Sequence, residues 1–107
     1  MTKIELFEKG LQNTAGIFKA LGHPARLAIL KYLSETKVCI SGDISNELPL
    51  SRTTVNQHLK ELKNIGIIKG DIEGSKVNYC IDGVKLKKAK AILENFLNDL
   101  HCDNLNC

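Results

Sequence analysis

"PLSRTTVNQHLKELKNIGIIKG", residues 49–70, is the stretch whose reading decides the fold. Val55, Leu59, Leu62 and Ile65 recur at helical steps of three and four, so one stripe of a helix faces a core. Ser51 is a natural N-cap, and Gly66 stops the pattern. The first two turns carry Ser51, Arg52, Thr53, Thr54, Asn56, Gln57 and His58. Most of these types lower helix propensity, because short polar side chains compete for the backbone. Packing alone does not choose so many in a row, which points to a partner outside the chain.

Downstream, "IIKGDIEGSKVNYCID" reads as a hairpin, with strands over residues 67–71 and 76–81 and a turn over 73–75. Val77, Tyr79 and Ile81 alternate with Lys76, Asn78 and Cys80, as in a half-buried strand. Upstream, in "CISGDISNELPLS", Ser41 or Asp43 caps a short helix ending before Pro49. Before that, "PARLAILKYLSE" predicts a mostly buried helix with Leu27, Leu30 and Leu33 as its apolar positions and Ala28 and Ile29 beside them, and Pro24 suits its first turn. Ile4, Phe7, Leu11, Thr14, Phe18 and Leu21 form a seam in a first helix that "GHP" ends. Leu86, Ala89, Leu93, Phe96 and Leu100 do the same in a last helix over about 84–101. Narrow seams of this kind are the pattern of helix-to-helix contact.

A chain of 107 residues fits one domain, here 1–107, but is marginal in the surface it buries alone, so an oligomer is expected. Apolar residues at 43% and charged residues at 25% argue against disorder. No apolar run approaches a membrane span, and "MTKIELFEKG" lacks the basic opening and apolar core of a signal peptide. The expected location is the cytoplasm, with no membrane partner. Residues 51–90 hold nine Lys or Arg against four Asp or Glu, a local excess that suits a polyanion. Cys39, Cys80, Cys102 and Cys107 form no CxxC pair; in a reducing cytoplasm they read as free thiols or soft-metal ligands rather than structural disulfides. Without a redox CxxC or a Gly-rich phosphate loop, an enzyme is disfavoured.

Two short helices, the second polar at its N-terminal face, followed by a basic hairpin, give a mostly α fold with a small β wing (α+β), the order of a winged helix-turn-helix. In that motif the second helix enters the major groove of double-stranded DNA. Asn56 and Gln57 then suit adenine, Arg52 guanine or phosphate, and Ser51, Thr53 and Thr54 phosphate oxygens. Lys60 is exposed with them, and Lys69 and Lys76 on the hairpin add phosphate contacts that weaken with salt. His58, beside Leu59, reads equally as a packing, phosphate or base contact.

"FKALGHPARLAILKYLSE", "GDISNELPLSRTTVNQHLKELKNIGIIKG" and "EGSKVNYCID" resemble the ArsR/SmtB family of dimeric winged-helix repressors over about residues 15–82. The resemblance implies a homodimer paired through its N- and C-terminal helices. It also implies an apo-protein that holds an operator without any cofactor and leaves it when a metal or metalloid binds. Family arsenic and lead sensors carry Cys-x-Cys before the helix-turn-helix; here "CISGD" supplies Cys39 but has Ser41 second, and serine is a poor substitute for thiolate on a soft ion. Zinc sensors use the last helix, where Glu94, Asp99 and His101 do not make the two-ligand face required. Cys102 and Cys107 in the tail, with Cys39, would supply the three thiolates that trivalent arsenic prefers. The expected inducer is therefore As(III), as arsenite or an organic trivalent arsenical, or another thiophilic ion. A thiol-based redox response of the same fold is the alternative, and Cys80 is read as structural or incidental.

Overall fold

The structure, a computed structural model, describes residues 7–36, 39–41, 48–72 and 78–103. Its elements run α1 (Lys9–Leu21), α2 (Pro24–Thr36), β1 (Ile40–Ser41), α3 (Arg52–Asn64), β2 (Ile68–Asp71), β3 (Asn78–Ile81) and α4 (Gly83–Asn98). The strands form one antiparallel sheet in the order β1-β3-β2. This is the mostly α, winged arrangement that the sequence predicts.

α3 is built from local signals. The Ser51 hydroxyl accepts a hydrogen bond from the Thr54 N–H at 3.2 Å, satisfying one donor of the first turn. At the other end Gly66 has φ +86, the Gly66 N–H donates to Lys63 O, and the Ile67 N–H donates to Leu62 O at 3.2 Å. That pair of reversed bonds is a Schellman cap, which needs a residue tolerant of positive φ at its centre. Val55, Leu59 and Leu62 are buried on the inner face, each contributing about 1.5–3 kcal/mol of apolar transfer. Ile65, expected to end that stripe, is the half-buried C-cap residue.

α3 packs on α2, whose buried positions are Ala25, Ile29 and Leu33. Their steps of four define the inner face, and this corrects the expected phase: Leu27 lies outward, 53% exposed, and Leu30 is half-buried. α1 likewise turns Thr14, Ile17 and Ala20 inward, leaving Phe7, Leu11 and Phe18 exposed. Thr14 is tolerated inside because its hydroxyl donates to the Gly10 carbonyl at 2.9 Å. Phe7 precedes the helix, which has Glu8 as its N-cap residue, and Ile4 lies outside the described residues. Phe18 meets Phe96 of α4 edge to face, with ring centroids 6.0 Å apart.

β2 starts at Ile68, one residue later than expected, and Lys76 and Val77, expected in the second strand, fall outside the described residues. Gly70 sits opposite Tyr79 in the ladder with φ +119, so close to β3 that an added Cβ would strike Asn78 O and Tyr79 Cα. Tyr79 and Ile68 are buried beneath it. The root of the hairpin is closed by the Asp82 N–H donating to Ile67 O at 2.8 Å. Asp82 also caps α4, its carboxylate accepting from the Lys85 N–H at 3.1 Å. α4 ends at Asn98 rather than near residue 101, so Leu100 lies beyond it and is exposed. Ser41 belongs to β1 rather than to a helix cap, while Asp43 and most of the expected short helix fall in residues 42–47, outside the described set.

Candidate nucleic-acid interface

With Val55, Leu59 and Leu62 turned inward, the outer surface of α3 carries Arg52, Thr53, Gln57 and Lys60, all exposed, and Asn56, half-buried. Asn56, Thr53, Gln57 and Lys60 follow one another around and along the rod, presenting amide, hydroxyl and ammonium groups together. Such a set can hydrogen-bond base edges and phosphates at once. Ser51 and Thr54 are engaged locally: Ser51 donates its hydroxyl to Thr54 Oγ1 at 2.9 Å while capping the helix. On the wing, Lys69 is exposed and Lys76 lies outside the described residues.

His58 takes the packing role among the three that its sequence position left open. It is 9% exposed, and its Nδ1 accepts from Arg26 Nε at 3.1 Å. Its ring lies 4.4 Å from that of His23. The reason is its spacing: His58 stands three residues after Val55 and four before Leu62, on the edge of the apolar stripe. Burial lowers its pKa, His23 and Arg26 lower it further, and Glu61 opposes them. The imidazole is therefore held neutral, as an acceptor at Nδ1 must be.

Two residues that sequence reasoning did not single out organise this junction. Arg26 also donates through Nη1 to the Ala20 carbonyl at 3.1 Å, so one guanidinium ties the end of α1 to α3. His23 Nδ1 accepts from the Ala25 N–H at 3.0 Å and caps α2. The available signal was "GHPAR", a histidine just ahead of Pro24 with an arginine one turn on.

Between α3 and the wing lies an open cleft lined by Gln57, Lys60, Glu61, Lys63, Asn64 and Asp71. Its two carboxylates balance its two ammonium groups. A phosphate backbone is therefore better served by the N-terminal half of α3 than by this cleft.

The cysteines are placed differently from the expected ligand trio. Cys39, read as a free thiol or ligand, is joined to Cys80 in a disulfide, with Cα atoms 4.3 Å apart. The residue before β1 faces β3 across the ladder, and that pairing brings the two together. Cys102 is a free, exposed thiol, and Cys107 lies outside the described residues. Among the described residues, no three of His, Cys, Asp and Glu are grouped to hold a metal ion. Nor is any described helix long and apolar enough to cross a membrane.

Residues 23–69 match the family model described as bacterial regulatory protein, arsR family. The chain is 36% identical over 87 residues to a cadmium resistance transcriptional regulatory protein CadC homolog of Staphylococcus aureus, covering 80% of this chain and 71% of that one. It is 39% identical over 77 residues to an uncharacterized HTH-type transcriptional regulator of Methanocaldococcus jannaschii, covering 72% and 86%. Among solved structures, an ArsR-like transcriptional regulator from Rhodococcus sp. RHA1 superposes with TM-score 0.62 at 25% identity, covering 83% of each chain. Fold, motif span and relatives agree: the chain belongs to the ArsR family of bacterial transcriptional regulators, DNA-binding proteins rather than enzymes.

Proposed function

We propose that the protein is a homodimeric repressor that holds operator DNA through α3 and releases it when a thiophilic ion binds, arsenite or an organic trivalent arsenical first among them. The observation that carries the reading is the division of α3 into a fully buried apolar face and an exposed polar one that includes Arg52, Thr53, Gln57 and Lys60. Arg52, Asn56 and Gln57 supply base contacts, while Lys60, Lys69 and Lys76 supply phosphate contacts. Support for the dimer comes from Phe7, Leu11 and Phe18 with Leu97 and Leu100, apolar side chains left exposed on or beside the two terminal helices. Phe7, Leu11, Phe18 and Phe96 line one almost wholly apolar cleft, the kind of surface a second copy covers. Cys39, Cys102 and Cys107 are the proposed thiolate ligands, with Cys39 available once its disulfide is reduced. The cadmium named in the S. aureus relative belongs among the ions to be tried.

The test is a competition. The reduced chain should prefer promoter DNA from its own locus over random duplex, and the triple variant Arg52→Ala, Asn56→Ala, Gln57→Ala should lose that preference, at about 1–3 kcal/mol for each lost base contact. Arsenite should then free the DNA. Equal binding by the variant sinks the assignment of α3, and indifference to arsenite, cadmium, lead and zinc sinks the assignment of the inducer.

A further inference from the structure

Three residues from three successive segments stand in one row across the sheet. The β1–β3 register, Ile40 opposite Tyr79 and Ser41 opposite Asn78, continues to Cys39 opposite Cys80. On the other side of β3, Lys69 of β2 is opposite Cys80. Directly opposed residues of an antiparallel ladder share a face, and all three line one cleft of about 440 Å³, walled by Leu33 and Leu86. Cys39 is exposed and Cys80 half-buried, so the sulfurs are open to small molecules.

We propose that Cys39 and Cys80 form an oxidant-sensitive modification site, a dithiol that a hydroperoxide converts into the cross-strand disulfide, and that closing it tightens the grip on operator DNA. The proposal rests on the reading of α3 as the DNA-binding helix but not on the identity of the inducing ion. In the first step a cysteine thiolate attacks the outer peroxide oxygen. The O–O bond breaks, a sulfenic acid forms, and the other oxygen leaves as an alcohol, or as water, on taking up a proton. The second cysteine then attacks the sulfenic sulfur; the S–S bond forms and hydroxide leaves as water with the second thiol's proton. Two thiols and one hydroperoxide thus give one disulfide, one alcohol and one water, the sulfurs losing the two electrons that the O–O bond gains.

Geometry favours this chemistry. The Cα separation of 4.3 Å is that of a closely spaced antiparallel pair, so closure asks for no rearrangement of the strands. The bridge encloses residues 39–80, hence all of α3 and β2, and fixes the wing to the strand that leads toward the recognition helix.

The experiment compares the whole chain, fully reduced by a phosphine or treated with hydrogen peroxide or cumene hydroperoxide, in anisotropy titrations on promoter DNA at several salt concentrations. Expected are a Cys39–Cys80 peptide mapped by mass spectrometry and binding tightened at least about threefold. Cys80→Ser, folded by circular dichroism, should bind like the reduced protein whether or not peroxide is added. Unchanged or weaker binding by the oxidised wild type overturns the proposal, as does an equal gain in Cys80→Ser. If neither redox form prefers promoter DNA over random competitor, the DNA-binding reading fails and takes this one with it. A lost redox effect with DNA preference intact removes this one alone.

Discussion

Replacing Gly70 by alanine should break the wing, whereas the same replacement at Gly16 should strengthen the molecule. At Gly70 the backbone has φ +119, a region L-residues rarely enter, and the new Cβ would meet Asn78 O and Tyr79 Cα, both main-chain atoms that cannot swing aside. The conformational strain costs about 1–3 kcal/mol. Relieving the contact means parting β2 from β3 and uncovering Tyr79, now 1% exposed, at a further cost of about 1.5–3 kcal/mol. A total near 3–5 kcal/mol lowers the melting temperature by about 15–25 °C in a domain of this size. Gly16 lies in mid-α1 with nothing within 4 Å of an added Cβ. There alanine gains about 0.5–1 kcal/mol of helix propensity, a rise of about 3–6 °C. Urea titrations and thermal melts of the two variants beside the parent decide the matter. A Gly70→Ala protein within about 1 kcal/mol of the parent refutes the close approach of the two strands.

Leu59→Ala should cost about 2–5 kcal/mol in urea unfolding, since that side chain is 0% exposed within the hydrophobic core. The lowered pKa of His58 makes stability pH-dependent: its contribution is complete above the ordinary value of 6.5 and is lost as pH falls below it toward the folded-state pKa. His58→Gln should flatten that part of the curve, and an unchanged slope between pH 7 and 5 would count against the buried acceptor. Reducing the Cys39–Cys80 bridge opens a covalent loop with a sequence separation of 41, worth up to about 4 kcal/mol of chain entropy. Reduced and oxidised protein should therefore differ clearly in urea midpoint, and coincident midpoints would contradict the pairing.

What could be read in the sequence was local. The cap at Ser51, the apolar steps to Leu62 and the stop at Gly66 lie within sixteen residues of one another and specify α3 without help from the rest of the chain. The faces of α1 and α2 were less legible, because each helix carries more apolar residues than one side can hold. Periodicity alone does not say whether Ile17 or Phe18, Leu27 or Ile29, turns inward. β1 is two residues long and has no pattern to detect. The partner of Cys39 lies 41 residues away, a relation set by the fold and not by any neighbouring residue. His58 was half legible: its distance from Val55 and Leu62 places it with them, while its polarity suits a DNA contact equally well.

The bond between the Asp82 N–H and Ile67 O joins two residues at the roots of the hairpin. One lies two residues beyond the C-cap residue of α3, and the other is the N-cap of α4. The far end of the reading rod and the near end of the final helix therefore share a hinge pin. A torque applied to either reaches the other through a single main-chain bond.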